Sequence, residues 1–133
     1  EEVCSMKNFK YKNGLLYTDI EILIENKNIL VKDTIIDTGA SHTIISSSYL
    51  EESDIGFNDD DTIVKASGYG GTVQYSVRKL VNKVACGDIT LENIKLDFGE
   101  IDPEEKVNGL LGLDFLRNAN LIIDLVDNLL IKK

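Results

Sequence analysis

The residues best suited to chemistry stand together at Asp37-Thr38-Gly39-Ala40-Ser41, directly after the β-branched pair Ile35-Ile36. An apolar run that ends in one carboxylate and several small residues delivers that carboxylate into a tight turn. A carboxylate held so near a core is costly to ionise unless backbone N–H groups or hydroxyls reach it. Gly39 lets the backbone approach closely, and Thr38 offers a hydroxyl that can fix a neighbouring strand. By itself the same stretch also fits a strand-ending Asx turn. The other reactive side chains lack partners at useful spacing. His42 is the only histidine. As a base it would need a facing nucleophile and an orienting acid, and Ser41 is merely its chain neighbour, so His42 is expected on the rim. Gly68-Tyr69-Gly70-Gly71 lacks the Lys-Ser/Thr of a phosphate loop and opens no helix, which argues against nucleotide binding. Asn58-Asp59-Asp60-Asp61 lacks the glycine and glutamate of an EF-hand and reads as a solvated acidic loop. Cys4 and Cys86 have no zinc spacing; two free thiols in a reducing, cytoplasmic compartment are expected in preference to a disulfide.

The elements that must position Asp37 are mostly strands. Leu15 to Glu25 alternates apolar and polar residues, with Leu16, Ile20, Ile22 and Ile24 on one face. Asn26-Lys27-Asn28 is turn chemistry, and Ile29 to Ile36 returns as the strand that ends at Asp37. A short strand is expected at 43–45, and the serines at 46–48 can start a short helix through Glu51 or Glu52. Thr62 to Ala66 and Thr72 to Ala85 flank the glycine-rich tip as a long hairpin. Gly87-Asp88 turns the chain into Ile89 to Phe98, whose alternation changes phase near Asn93. Gly109 to Leu113 is apolar, Asp114 is placed to N-cap a helix through about Asn118, and two last strands surround Asp127-Asn128. Residues 1–13 are expected to be irregular or to form an edge.

The 133 residues suffice for one domain, 1–133, with its core at about 15–131. Hydrophobic residues make up 43% and there is a single proline, which argues against long disorder. A net charge of −9 without any basic cluster excludes nucleic acid and anionic membranes as expected partners. No apolar run approaches a membrane span and no basic-then-apolar leader opens the chain; because it begins at Glu1, an anchor or leader is expected, if anywhere, upstream.

Two further segments turn this pattern into a resemblance. Gly109-Leu110-Leu111-Gly112-Leu113-Asp114-Phe115-Leu116 follows Asp37-Thr38-Gly39 by about 70 residues, with the glycine-rich hairpin tip between them. The order resembles that of retropepsin-like, single-domain aspartic proteases of the pepsin clan. The resemblance implies a mainly β fold: a closed or partly open barrel with one short C-terminal helix, acting as a homodimer. It implies Asp37 as the catalytic residue, supported by Thr38, Gly39, Ala40 and Ser41. It also implies a substrate-binding flap at Gly68, Tyr69, Gly70 and Gly71, and an active-site wall at Leu110, Leu111 and Gly112. Gly112 would there avoid a clash with the catalytic loop. The reaction is peptide-bond hydrolysis in extended, hydrophobic-flanked segments of a precursor or client protein, and it needs no metal or cofactor. Because two carboxylates must share a proton, and this chain has one Asp-Thr-Gly, each protomer would supply one Asp37.

Certain positions depart from the retroviral pattern. Ser41-His42 replaces acidic residues, and Leu113 replaces an arginine, so the ion pair they form there is missing. The N-terminus lacks the usual apolar strand, leaving Leu129 to Lys133 to supply more of the dimer sheet. A catalytically silent peptide-binding or dimerisation module is the alternative.

Overall fold

Alternation and turn chemistry together dictate a curled β structure. The computed structural model describes residues 5–67, 73–101 and 107–133; Cys4 and the tip residues Gly68, Tyr69, Gly70 and Gly71 lie outside them. In chain order the elements are β1 (Met6–Asn8), β2 (Lys10–Lys12), β3 (Leu15–Ile24), β4 (Lys27–Ile36), β5 (Ile44–Ser46) and α1 (Ser48–Glu52). They continue with β6 (Thr62–Ser67), β7 (Val73–Cys86), β8 (Ile89–Gly99), β9 (Gly109–Leu111), α2 (Leu113–Asn118), β10 (Leu121–Asp124) and β11 (Leu129–Lys132).

In β3, Ile20, Ile22 and Ile24 are almost fully buried while Glu21 faces out, the period-2 pattern of a half-buried strand. The turn to β4 lies at Glu25-Asn26, both with positive φ, rather than at Asn26 to Asn28. Two successive left-handed residues make the tight turn whose twist suits a hairpin, so Lys27 and Asn28 are free to pair with Ile24 and Leu23.

Eight strands run in the order β2-β3-β4-β9-β5-β8-β7-β6, and an added β3–β7 pairing closes six of them, β3 to β7 by way of β4, β9, β5 and β8, into a barrel. The expected closed or partly open barrel is therefore present. β7 and β8 pair from Cys86↔Ile89 to Ser76↔Gly99, interrupted opposite Asn93, whose φ is 53°. Beyond that residue the buried side switches, from Ile89 to Leu96 and Phe98, and this is the phase change visible in the pattern. Ile22, Val31, Ile45, Val84, Leu96, Phe98, Leu111, Phe115 and Leu130 fill the core with at most 1% exposure.

The N-terminus forms an edge, one of the two expected outcomes: β1 pairs with β11, Met6↔Ile131 through Asn8↔Leu129, giving the three-stranded sheet β1-β11-β10. The backbone of β11 needed a second partner on that edge, and residues 6–8 supply it without an apolar run. The helix expected after the serines is α1 and the expected C-terminal helix is α2, but two expectations change: α2 is capped by Gly112 in extended conformation rather than by Asp114. Asp114 instead lies within the first turn, its carboxylate turned towards β5. Finally, Asp61 is not solvated. It forms an ion pair with Lys79 of β7, the two side chains being 5% and 2% exposed, and Lys79 also donates to Gly56 O at 2.8 Å. An alternating strand had no other way to satisfy a lysine on its buried face.

Candidate active site

Asp37 sits where β4 leaves the sheet. β4 and β9 run parallel, Ile35↔Leu110 and Ile36↔Leu111, and Asp37 N donates to Leu111 O at 3.0 Å, so the ladder holds the chain up to the aspartate itself. The turn then closes on small residues. Ala40 N donates to Asp37 O at 3.2 Å, and Gly39 N donates to Asp37 Oδ1 at 2.8 Å. A Cβ on Gly39 would stand 3.1 Å from that same oxygen, so glycine keeps the carboxylate's cradle open. Asp37 and Ala40 are half-buried, while Thr38, Gly39, Ser41 and His42 are exposed. His42, exposed on the rim, brings its backbone against Gly112.

The 109–116 segment threads directly beside this turn. Leu113 N donates to Ala40 O at 2.8 Å and Asp114 N to Ser41 O at 3.2 Å. A Cβ on Gly112 would lie 2.8 Å from Ala40 O, 2.8 Å from His42 C and 2.9 Å from His42 O, so only glycine fits there without displacing the loop. Leu111 is fully buried in the core, whereas Leu110 is half-buried and pairs with Ile44. Of these three residues, Leu110 alone is partly exposed.

Sequence reasoning missed the residue that ties the two segments together. Thr43 is fully buried; its N–H and Oγ1 both donate to the Asp114 carboxylate, at 3.0 and 2.7 Å, and its Oγ1 accepts from Gly112 N at 3.0 Å. Phe115 N completes the set by donating to Asp114 Oδ1 at 2.7 Å. A polar residue opening a strand looks ordinary in one dimension, because its partners lie about 70 positions away. A second pair also escaped notice. Arg78 of β7 and Asp97 of β8 face each other in register and form a two-pronged ion pair at 2.7 and 3.1 Å. Among the described residues, no group of three or more His, Cys, Asp or Glu is placed to hold a metal ion.

What this arrangement offers is a half-exposed carboxylate, held by the Gly39 N–H in a turn that two parallel strands and a short helix brace from behind. Thr38 beside it lines an open concavity with Leu113, Leu116, Arg117, Leu121 and Ile123. The whole fold is similar to that of a retropepsin-like aspartic protease from Rickettsia conorii, at 21% identity and a TM-score of 0.62, with 98% of this chain and 99% of that one covered. No curated protein matches the sequence. The sequence profile of the aspartyl proteases matches residues 20–115, a span that holds Asp37-Thr38-Gly39, the hairpin and the Gly109–Phe115 segment, and the chain thus belongs to the aspartyl protease family, with a retropepsin-like fold.

Proposed function

We propose that the protein is an aspartic endopeptidase that works as a homodimer, with Asp37 of each protomer forming the catalytic pair. The observation that carries this is the Asp37 turn: one carboxylate, half-exposed and cradled by Gly39 N, with no second carboxylate bonded to it among the described residues. Among the described residues, the other carboxylates tied to the site's strands are already committed, Asp114 to Thr43 and Asp97 to Arg78. In this reading a second acid of equivalent geometry comes from a second copy, across a two-fold axis. The exposed Thr38 and the concavity beside it lie where such a copy would approach.

Two carboxylates brought that close share one proton and titrate as a pair. The ionised member takes a proton from water while the protonated member polarises the scissile carbonyl. The substrate is an extended segment that adds strand hydrogen bonds beneath the β6–β7 hairpin and sets hydrophobic side chains against the face carrying Leu110. No helix among the described residues is long and apolar enough to cross a membrane. Processing of a precursor or client protein is the role this chemistry suits.

The test is cleavage of a mixed peptide library by the wild type and by Asp37→Asn, between about pH 4 and 7.5. The expected result is cutting by the wild type, with a rate rising faster than linearly in enzyme concentration, and none by the variant. Cutting that survives Asp37→Asn overturns the assignment; binding without cutting by both favours a peptide-binding module.

A further inference from the structure

Cross-strand registers define which side chains share a sheet face. Ile35 of β4 pairs with Leu110 of β9, Leu110 with Ile44 of β5, Ile44 with Asp97 of β8, and Asp97 with Arg78 of β7. Residues directly opposite in register point to the same side, so these five make one continuous row across the barrel wall. Asp37 follows Ile35 by two positions, the spacing that returns a strand to the same face as it enters the turn. The row therefore leads from the candidate catalytic turn over two half-buried apolar side chains, Leu110 and Ile44, to an ion pair.

That pair is built asymmetrically. Asp97 is nearly enclosed, its side chain 10% exposed, while that of Arg78 is 28% exposed. Asp97 grips Nε and Nη2 of Arg78, which locks the planar group and leaves the remaining N–H donors unassigned. Asp97 itself is held by its backbone, which donates to Thr43 O at 3.1 Å. The hydrogen bond to Asp97 comes first, and the charges of Asp97 and Asp114 add to it, in keeping the guanidinium above its ordinary pKa. Asp114 is the carboxylate that braces the Asp37 loop through Thr43, so the field of that brace reaches Arg78.

We propose that Arg78, oriented by Asp97, is a specificity-determining residue that recognises a substrate carboxylate, a Glu or Asp side chain, some residues away from the scissile bond. This rests on the protease reading above. Adjacent strands stand about 4.8 Å apart, so Arg78 lies four steps, roughly 19 Å along the wall, from Ile35. Curvature and the length of the arginine shorten that span, and an extended peptide advances about 3.3 Å per residue, which places the acidic residue about three to four positions out. Of the two partners, the cation is the one left more accessible.

The test uses peptides with a hydrophobic pair at the cleavage site and either Glu or Gln two, three, four or five positions away on either side. Within each enzyme the ratio of kcat/KM for the Glu and Gln peptides is compared. The wild type is expected to favour Glu by about tenfold at one of these positions, the scale of a charge-assisted hydrogen bond. The double variant Arg78→Leu/Asp97→Leu, which leaves no buried charge unpaired, is expected to bring the ratio to about one, and Arg78→Lys to restore part of it. The same peptides, fluorescently labelled, are titrated onto Asp37→Asn and onto Asp37→Asn combined with the double variant. Absence of cleavage then overturns the hydrolase reading, while a Glu preference in binding that the double variant loses still supports the subsite. Equal treatment of Glu and Gln by the wild type in both assays, or a preference that survives the double variant, overturns it.

Discussion

Replacing Gly112 by Ala adds one methyl group and should damage both stability and catalysis. Its φ of −95° and ψ of −175° are open to any residue, so backbone strain contributes nothing to the effect. Contact does. The new Cβ would lie at 2.8, 2.8 and 2.9 Å from Ala40 O, His42 C and His42 O, against about 3.4 Å or more for ordinary contact, so something must move by about half an ångström. All three atoms are backbone, and the loop cannot simply step aside, because Ala40 O already accepts Leu113 N and Thr43 is tied to Asp114. Overpacking of this kind costs about 1–3 kcal/mol, which for a chain of this length lowers Tm by roughly 3–12 °C. Asp37 lies at the other end of the same loop, and an error of 1 Å at a reacting group costs about 100-fold, so half that error predicts about a tenfold loss in kcat/KM. Thermal melts and peptide cleavage read the two effects. Gly56→Ala is the matched control, since a Cβ there meets nothing within 4 Å. If Gly112→Ala melts and cuts as Gly56→Ala does, the close packing of the two segments is not what fixes the site.

Two predictions concern groups far from the turn. Lys79→Met leaves Asp61 buried without its cation and should destabilise the fold by about 3–5 kcal/mol in urea titrations, whereas Lys79→Met/Asp61→Leu should recover a large part. A single-variant loss below about 1 kcal/mol would show that the pair behaves as a surface ion pair. Burial pushes the Cys86 thiol above its ordinary 9.0, only partly offset by Thr18 and Lys7, so the folded protein keeps a proton that the unfolded chain releases. Its contribution to stability is complete below about pH 9 and fades as the pH rises beyond that. Iodoacetamide at about pH 8 should accordingly modify Cys86 only in denaturant, as resolved by peptide mass spectrometry, and labelling of the native protein at the unfolded rate would refute it.

How much was legible from sequence depended on how far each signal reached along the chain. The strand through Ile20, Ile22 and Ile24 and the phase change at Asn93 are local patterns, and they emerged with nearly the expected boundaries. The hairpin turn slipped to Glu25-Asn26 because an exposed polar trio does not reveal which two members take positive φ. An edge at residues 1–13 is one of two readings the sequence leaves open, but the pairing of β1 with β11 is not legible in it, since Met6-Lys7-Asn8 has no pattern of its own and β11 offers the edge it pairs with. The parallel β4–β9 contact beneath Asp37 joins segments some 75 positions apart, and only family resemblance, not periodicity, brought them together in one dimension. Charged residues were the least legible of all. Lys79 sits on a strand where a lysine ordinarily marks the wet face, yet it is buried because Asp61, 18 positions earlier, is delivered to it by a loop that composition alone made look solvated. Arg78 is its immediate neighbour and points to the opposite face, where Asp97 awaits it in register. Alternation predicted that two adjacent residues of one strand face opposite ways. It could not say that both faces were prepared for a cation, since each counter-charge is set by pairing across strands and not by the pattern along one.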